Sequence, residues 1–338
     1  MQLPRPRGPF SEQVFAGMVT ADPSLVPFDA SGDMLTDEDA QIALWALYEL
    51  SYHGFDDVDP RHEWSPGLLA TRAAVEAVFE QALCDLTASA VDRALDEAPD
   101  DARAVPAQLA AVIEDSDDPG LAGFLQRQAT DEQYREFLVH RSVYHLKESD
   151  PHAFAIPRLH GAPKVALAEL QYDEFGGGRA DRLHSTLFAR ALEGAGLDPA
   201  YGAYVDVVPA ATLAVNNAMS LFALHRRLRG ALMGHLAAFE STSSLPCRRY
   251  SGGAERLGFD ERVTDYFDEH VEADAVHEQL ASRNICQRLV EQEPELHRDV
   301  LVGASACVRL DALSGATMID AWQAGASALL GGSQQEVA

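Results

Sequence analysis

At 338 residues and 47% hydrophobic composition, the chain has enough apolar material for one large domain or two small ones, each with a real core. Its 53 acidic residues against 26 basic ones give a formal charge of −27, a field that repels phosphate, argues against a nucleic-acid partner or an anionic membrane surface, and draws cations. Cys84, Cys247, Cys286 and Cys307 are scattered without a CxxC spacing, so neither a thiolate zinc site nor a disulfide framework is expected and a reducing cytoplasm suits the chain.

Residues 1–35 hold Pro, Gly and Asp without sustained periodicity and read as an irregular lead-in. No apolar run follows the basic residues of MQLPRPRGPF, and later apolar stretches are interrupted by Asn216, Asn217, Asp320 or Gln323, so neither an export signal nor a transmembrane span is expected. TDEDAQIALWALYELSYHGF predicts a helix capped at Thr36 or Asp37, with acids in its first turn. TRAAVEAVFEQALCDLTASAVDRAL predicts a long helix, APDDARAVP a break, and residues 105 to 129 two shorter helices.

DEQYREFLVHRSVYHLKES predicts an amphipathic helix that ends at the Asp150-Pro151 step, and the two prolines and glycine of HAFAIPRLHGAP predict irregular chain. KVALAELQYDEF returns to helix and stops at Gly176, Gly177 and Gly178, after which RADRLHSTLFARALEGAGL begins another. Further helices are expected at about 210 to 226, 228 to 241, 260 to 292 and 310 to 330. YVDVV at 204 to 208 is the best strand candidate, and a weak one. The fold class is therefore all-α, helices packed around a central core.

The chemistry-bearing pattern is HVEADAVHEQL, which places His270, Asp274 and His277 at i, i+4 and i+7. On a helix these fall within an arc of about 60°, so one face could offer all three to one metal centre. A solvated acidic face produces the same pattern, and carboxylates from elsewhere are needed to decide. One acid expected on a buried helix face is Glu174, ten residues before His184. In an unbroken helix the two would stand about 15 Å apart and about 80° out of phase. The triple glycine must bend or compact the chain for them to meet, although a plain turn between helices would use it equally well.

The stretch ESDPHAFAIPRLHGAPKVALAELQYDEFGGGRADRLHSTLF resembles the motif region of the haem-oxygenase-like diiron oxidase superfamily, the iron-containing redox enzymes. The spacing resembles its N-oxygenating branch: Glu148 stands 26 residues before Glu174, Glu174 ten before His184, Glu240 thirty before His270, and the His-x3-Asp-x2-His helix closes the set. AAFESTSSLPCRRY around Glu240 and LWALYELSYHGF near the N-terminus are similar to the family as well. The resemblance implies a haem-oxygenase-like helical bundle with an N-terminal helical extension: lead-in 1–35, extension 36–130 packed on the core, diiron core 131–335. It implies the metal ligands Glu148, Glu174, His184, Glu240, His270, Asp274 and His277. It also implies two iron ions, O2 as cosubstrate, an external electron donor, and a small-molecule amine or amino acid oxidised in secondary metabolism.

The ligand mixture suits that chemistry, since hard carboxylates and borderline imidazoles bind iron or manganese, and the absence of Cys argues against zinc or an iron–sulfur cluster. A carboxylate-filled interior leaves no apolar slot for haem. Oxidative C–C cleavage or decarboxylation of an amino or fatty acid is the alternative reaction, and a metal-binding helical protein without turnover the alternative class. The N-terminal helices either buttress the core or help form a homodimer. Among other polar residues, His152 is a candidate donor to a ligand carboxylate. Glu49 and His53, an i, i+4 pair lacking a third ligand, read as packing or a surface hydrogen bond. Tyr172, Phe175, Phe188 and Phe239 are expected to wall the site. No GxSxG elbow and no activated Cys is present to suggest a nucleophile.

Overall fold

The computed structural model describes residues 1–30, 32–97 and 101–331, with the side chains of residues 97 and 272–276 outside that description. Among these residues there is no strand. The helices run α1 (Pro9–Met18), α2 (Glu38–Glu49), α3 (Pro66–Glu97), α4 (Val105–Glu114), α5 (Leu121–Arg127), α6 (Asp131–His145) and α7 (Asp150–Ala153). They continue with α8 (Gly161–Glu174), α9 (His184–Gly194), α10 (Ala210–Leu224), α11 (Arg229–Leu257), α12 (Glu261–Gln279), α13 (Arg288–Gln292) and α14 (His297–Gln323). A π-helical stretch, Leu280–Gln287, joins α12 to α13.

Local signals set some boundaries. The Asp37 carboxylate accepts from the amides of Asp39 and Ala40 and caps α2. Thr130 and Gln133 form a reciprocal capping box on α6.

Four expectations need correction. The lead-in is not wholly irregular, because Pro9–Met18 is helical; its amides at Phe10 and Ser11 donate to Asp39 of α2 at 2.9 and 2.6 Å, and Pro9 at the first position and the Ser11 hydroxyl, which accepts from Gly8 N at 3.2 Å, add local start signals. The helix from Asp131 stops at His145, five residues short of the Asp-Pro step, and that step opens α7 instead. Residues 204–208 form turns; the Val205 carbonyl accepts from the Arg7 guanidinium at 2.6 Å and the Val207 carbonyl from Leu330 N at 2.7 Å, so no neighbouring strand is paired. α11 runs on past residue 241 through Pro246 to Leu257.

α11 lies at the centre, packed on α14 and α12, and α14 packs in turn on α3 and α10. The α11–α14 approach depends on two glycines. A Cβ on Gly234 would sit 1.8 Å from the Val300 carbonyl oxygen, and one on Gly303 1.8 Å from that of Ala231, so the backbones touch where any side chain would hold them apart. α14 with its preceding turn is long and apolar enough to cross a membrane, yet 61% of its most apolar window is buried against these neighbours. α2 is buried almost all round and packs on α10, while α3, α4 and α5 reach α14 and α11 directly; Lys147 Nζ, just before Glu148, lies 3.0 Å from the Glu49 carboxylate of α2.

Candidate metal centre

Six of the seven residues singled out above come together as two buried triads, Glu148–His184–His270 and Glu174–Glu240–His277, in each of which one donor atom per residue lies within 4.8 Å of the others. Asp274 lies on α12 one turn after His270, but its side chain falls outside the described residues. The triads are adjacent, because His184 Nδ1 of the first is 3.1 Å from Glu174 Oε2 of the second.

The chain segments that deliver these groups differ. Glu148 sits on the turn after α6, where Ser149 is the one described non-glycine residue with positive φ, 67°. That left-handed residue costs about 1–3 kcal/mol and reverses the chain beside the site. Its hydroxyl donates to Glu174 Oε2 at 3.1 Å, joining the turn to the second triad. Glu174 ends α8 and His184 begins α9, and the glycines between them adopt φ of 69°, 62° and 79°. A Cβ on Gly176 would meet the backbone carbon of Arg182 at 2.6 Å, so the compact reversal needs glycine there. Glu240 comes from α11, and His270 and His277 from one face of α12.

Two of the three histidines are held so that one nitrogen faces inward. His270 Nδ1 lies 2.7 Å from the Tyr266 carbonyl, one turn back on α12, which leaves Nε2 toward Glu148 Oε1 at 3.5 Å. His277 Nε2 lies 3.3 Å from Asp173, leaving Nδ1 at 3.3 Å from Glu240 and 3.7 Å from Glu174. His184 Nδ1, His270 Nε2 and His277 Nδ1 are all buried, close to carboxylates, and without a hydrogen-bond partner. Buried polar atoms are normally paired. Imidazole nitrogens aimed at carboxylates without hydrogen-bond alignment are what a cation between them requires, so the donor set fits iron.

The electrostatics agree with a site built for positive charge. Burial disfavours the charged forms, but the negative charge of Glu148 pushes His270 up to about 10, and Glu240, Glu174 and Asp173 push His277 up to about 9. Burial likewise opposes ionisation of Glu148, yet His145 and His270 hold its carboxyl well below the usual range. The Tyr266 hydroxyl donates to both Glu148 oxygens, at 3.1 and 2.8 Å.

Neither Tyr266 nor His145, whose Nδ1 contacts the Tyr266 hydroxyl and lies 3.4 Å from Glu148, was singled out from sequence. The available signal was spacing: His145 precedes Glu148 by three residues and Tyr266 precedes His270 by four. His152 is fully buried, but neither of its ring nitrogens has a partner, and its ring neighbours His235 at 5.6 Å rather than donating to a ligand carboxylate. Phe188 and Phe239 do wall the region, both packed on His145. Tyr172 does not, being 60% exposed. Glu49 is paired with Lys147 and Tyr201, and the His53 ring stacks on Tyr201 at 4.3 Å.

A profile of the iron-containing redox enzyme family matches residues 135–312, a span that holds both triads. The chain belongs to that family. Its helices accordingly form a haem-oxygenase-like all-α fold, and membership makes it an iron-containing redox enzyme. The chain is also similar to a nitrosourea synthase of Streptomyces achromogenes subsp. streptozoticus, 29% identical over 171 residues, which cover 49% of this chain and 36% of that protein. It therefore spans little more than a third of the length of that relative.

Proposed function

We propose that the chain is a non-haem diiron oxygenase that uses O2 and electrons from an external donor to oxidise a small amine or amino acid at nitrogen. The observation that carries this reading is the adjacency of two buried histidine–carboxylate triads, joined by the 3.1 Å approach of His184 to Glu174. Glu148, His184 and His270 would hold one ion, and Glu174, Glu240 and His277 the other, with Asp274 completing the set on the same face of α12 by its spacing. Iron bound there supplies the electrons for reducing O2 and the Lewis acidity to bind it.

The protein's own part is to orient and to exclude water. The Tyr266 hydroxyl fixes the Glu148 carboxylate, and the Tyr266 carbonyl fixes the His270 ring. Tyr144, Phe188 and Phe239 surround His145 and keep the Glu148 side of the centre apolar. Oxidation at nitrogen is supported by the similarity to a nitrosourea synthase, since a nitrosourea carries oxidised nitrogen. A cavity of 210 Å³, mostly apolar but with Arg141, Asp311 and Asn216 in its wall, lies beside the centre and can take a small solute.

The test is an anaerobic Fe(II) titration followed by O2 and a panel of amines and amino acids. Two irons per chain and substrate-triggered O2 uptake, with product heavier by one oxygen, are expected. Saturation at one iron or fewer would reject the diiron reading, and uptake yielding only chain-cleaved product would reject nitrogen as the site of attack.

A further inference from the structure

The 210 Å³ cavity lies between α6, α10, α11 and α14, and none of the six triad residues lines it. Its inner wall is Tyr144, His145 and Phe239, and His145 touches Glu148 on the other side, so one layer of side chains separates the cavity from the first triad. The volume is below the roughly 300–1,000 Å³ of drug-sized pockets, which selects a small solute.

Among the described residues lining this cavity, Arg141 is the one Lys or Arg, and Asp118 and Asp311 are the carboxylates. Arg141 Nη1 lies 2.6 Å from Asp311 Oδ1, and its guanidinium sits over the Phe137 ring at 5.4 Å. Arg141 gives both Nη atoms to Asp311 and is also hydrogen-bonded to Tyr250, so part of its five N–H groups remains for a further partner, as do lone pairs of Asp311, whose side chain is 46% exposed against 19% for Arg141. Asn216 Oδ1 and His235 Nδ1 are buried, belong to lining residues and have no partner. Burial pushes His235 down to about 4 and His140 to about 3, so neither imidazole adds a cation at neutral pH.

A half-buried guanidinium–carboxylate pair that borders a cavity is the complement of a zwitterion. A lone amine would compete with Arg141 for Asp311, and a lone carboxylate would bring a second anion beside it. A solute carrying both charges on one carbon satisfies both partners at once. Arg141 and His145 are one turn apart on α6, a rise of about 6 Å, so a solute anchored at Arg141 has its remaining atoms directed along α6 toward His145 and Glu148.

We propose that the Arg141–Asp311 pair is the anchor for the α-carboxylate and α-ammonium of a free amino acid, whose side chain runs along α6 toward the Glu148–His184–His270 triad. The direction of the side chain rests on the diiron reading above; the binding itself does not. Arg141 and Asp311 are specificity residues, remote from the reacting atoms.

The experiment is calorimetric binding to Fe(II)-loaded protein under argon, with iron counted on the same sample. The probes are the proteinogenic amino acids and, for lysine, ornithine and arginine, the matching decarboxylated amines and the acids lacking the α-amino group. At least one α-amino acid should bind about tenfold or more tightly than either truncated counterpart, the loss expected for one charge-assisted hydrogen bond. Arg141→Gln should erase the preference over the decarboxylated amine, and Asp311→Asn the preference over the desamino acid, with iron content unchanged in both. Arg141→Lys, which keeps the charge, should retain part of the preference and serves if the Gln variant does not fold. Equal binding of amine and amino acid, no binding by any amino acid, or an unaltered preference in the folded variants would overturn the proposal. Iron below two per chain with the zwitterion preference intact would instead sink the diiron reading and leave the anchor standing.

Discussion

Two clusters of buried charge lie within a few residues of each other along the chain, and they are satisfied in opposite ways. Around Glu49 every group has found a protein partner: Lys147 Nζ at 3.0 Å, the Tyr201 hydroxyl at 2.8 Å and the His53 amide at 3.2 Å, with Lys147 also 4.2 Å from the Tyr52 ring centre. In the two triads, three buried imidazole nitrogens face carboxylates without a hydrogen bond. Burial and charge are common to both regions, so neither marks a metal site. Unpaired imidazole nitrogens that converge on buried carboxylates do, because an unpaired buried polar group costs about 1–3 kcal/mol unless something else completes it. The Glu49 cluster is an internal clamp, and the triads are arranged for an occupant.

The largest break in this comparison should come from the triads. His277→Ala or Glu174→Ala should remove iron from the second triad and lower loading from two ions to one or none, while the far-ultraviolet circular dichroism stays helical. The core is apolar and does not need metal to fold as a zinc finger does. Iron analysis with circular dichroism checks both halves, and joint loss of fold and iron would make the site structural.

Glu49→Ala should behave the other way round. Removing one partner of a buried pair leaves Lys147 uncompensated and should cost about 3–5 kcal/mol in urea unfolding, with the folded fraction still binding its full complement of iron. Glu49→Leu with Lys147→Met should recover most of that loss, since an apolar pair of similar volume replaces the charges. Iron loss in the folded Glu49→Ala protein would mean that this clamp also positions Glu148.

The contrast also shows what was legible in the sequence. The residues of the two triads were readable through the family resemblance, whose donor spacings they match, whereas the Gly176–Gly178 segment left a compact reversal and a plain turn equally open. The Glu49–Lys147 pair was not readable: its members are 98 positions apart, and each alone resembles a surface residue of an acidic helix. The same limit hid the Arg141–Asp311 pair, 170 positions apart. The early end of α6 was missed for a different reason, since the pattern through Lys147 remains compatible with helix. The turn is held by Ser149 in a left-handed conformation, with the Tyr144 hydroxyl 3.3 Å from its amide.

A smaller effect should separate a third kind of buried polar group, the neutral imidazole. His235 is pushed by burial to about 4, partly opposed by Asp311, and His140 by burial and Arg141 to about 3; burial also pushes the neighbouring His152 down, partly opposed by Glu148. Below pH about 6.5 the unfolded chain takes up protons that these folded groups refuse until about pH 4, so stability falls as the pH drops through that window. His235 alone contributes on the order of 3 kcal/mol of this loss. Urea melts at pH 7.5, 6 and 4.5 should show it, and His235→Gln should flatten the slope. An unchanged slope would place the acid sensitivity in the carboxylates.

The finest test concerns a group that belongs to both patterns at once. The Tyr266 hydroxyl satisfies Glu148 as the Lys147 ammonium satisfies Glu49, yet Glu148 faces His270 on its other side. If that hydroxyl orients a ligand, Tyr266→Phe should weaken iron binding in the first triad by about tenfold to a hundredfold, the usual cost of losing a hydrogen bond to a metal-bound carboxylate. The second triad should be unaffected, so the titration should split into one tight and one weakened step. The ring stays in place against Phe188 and Phe267, so the melting temperature should change little. Two unchanged binding steps would mean that the Ser149 turn alone holds Glu148 in position, and a single shared loss across both steps would mean that the ions bind as a coupled pair rather than triad by triad.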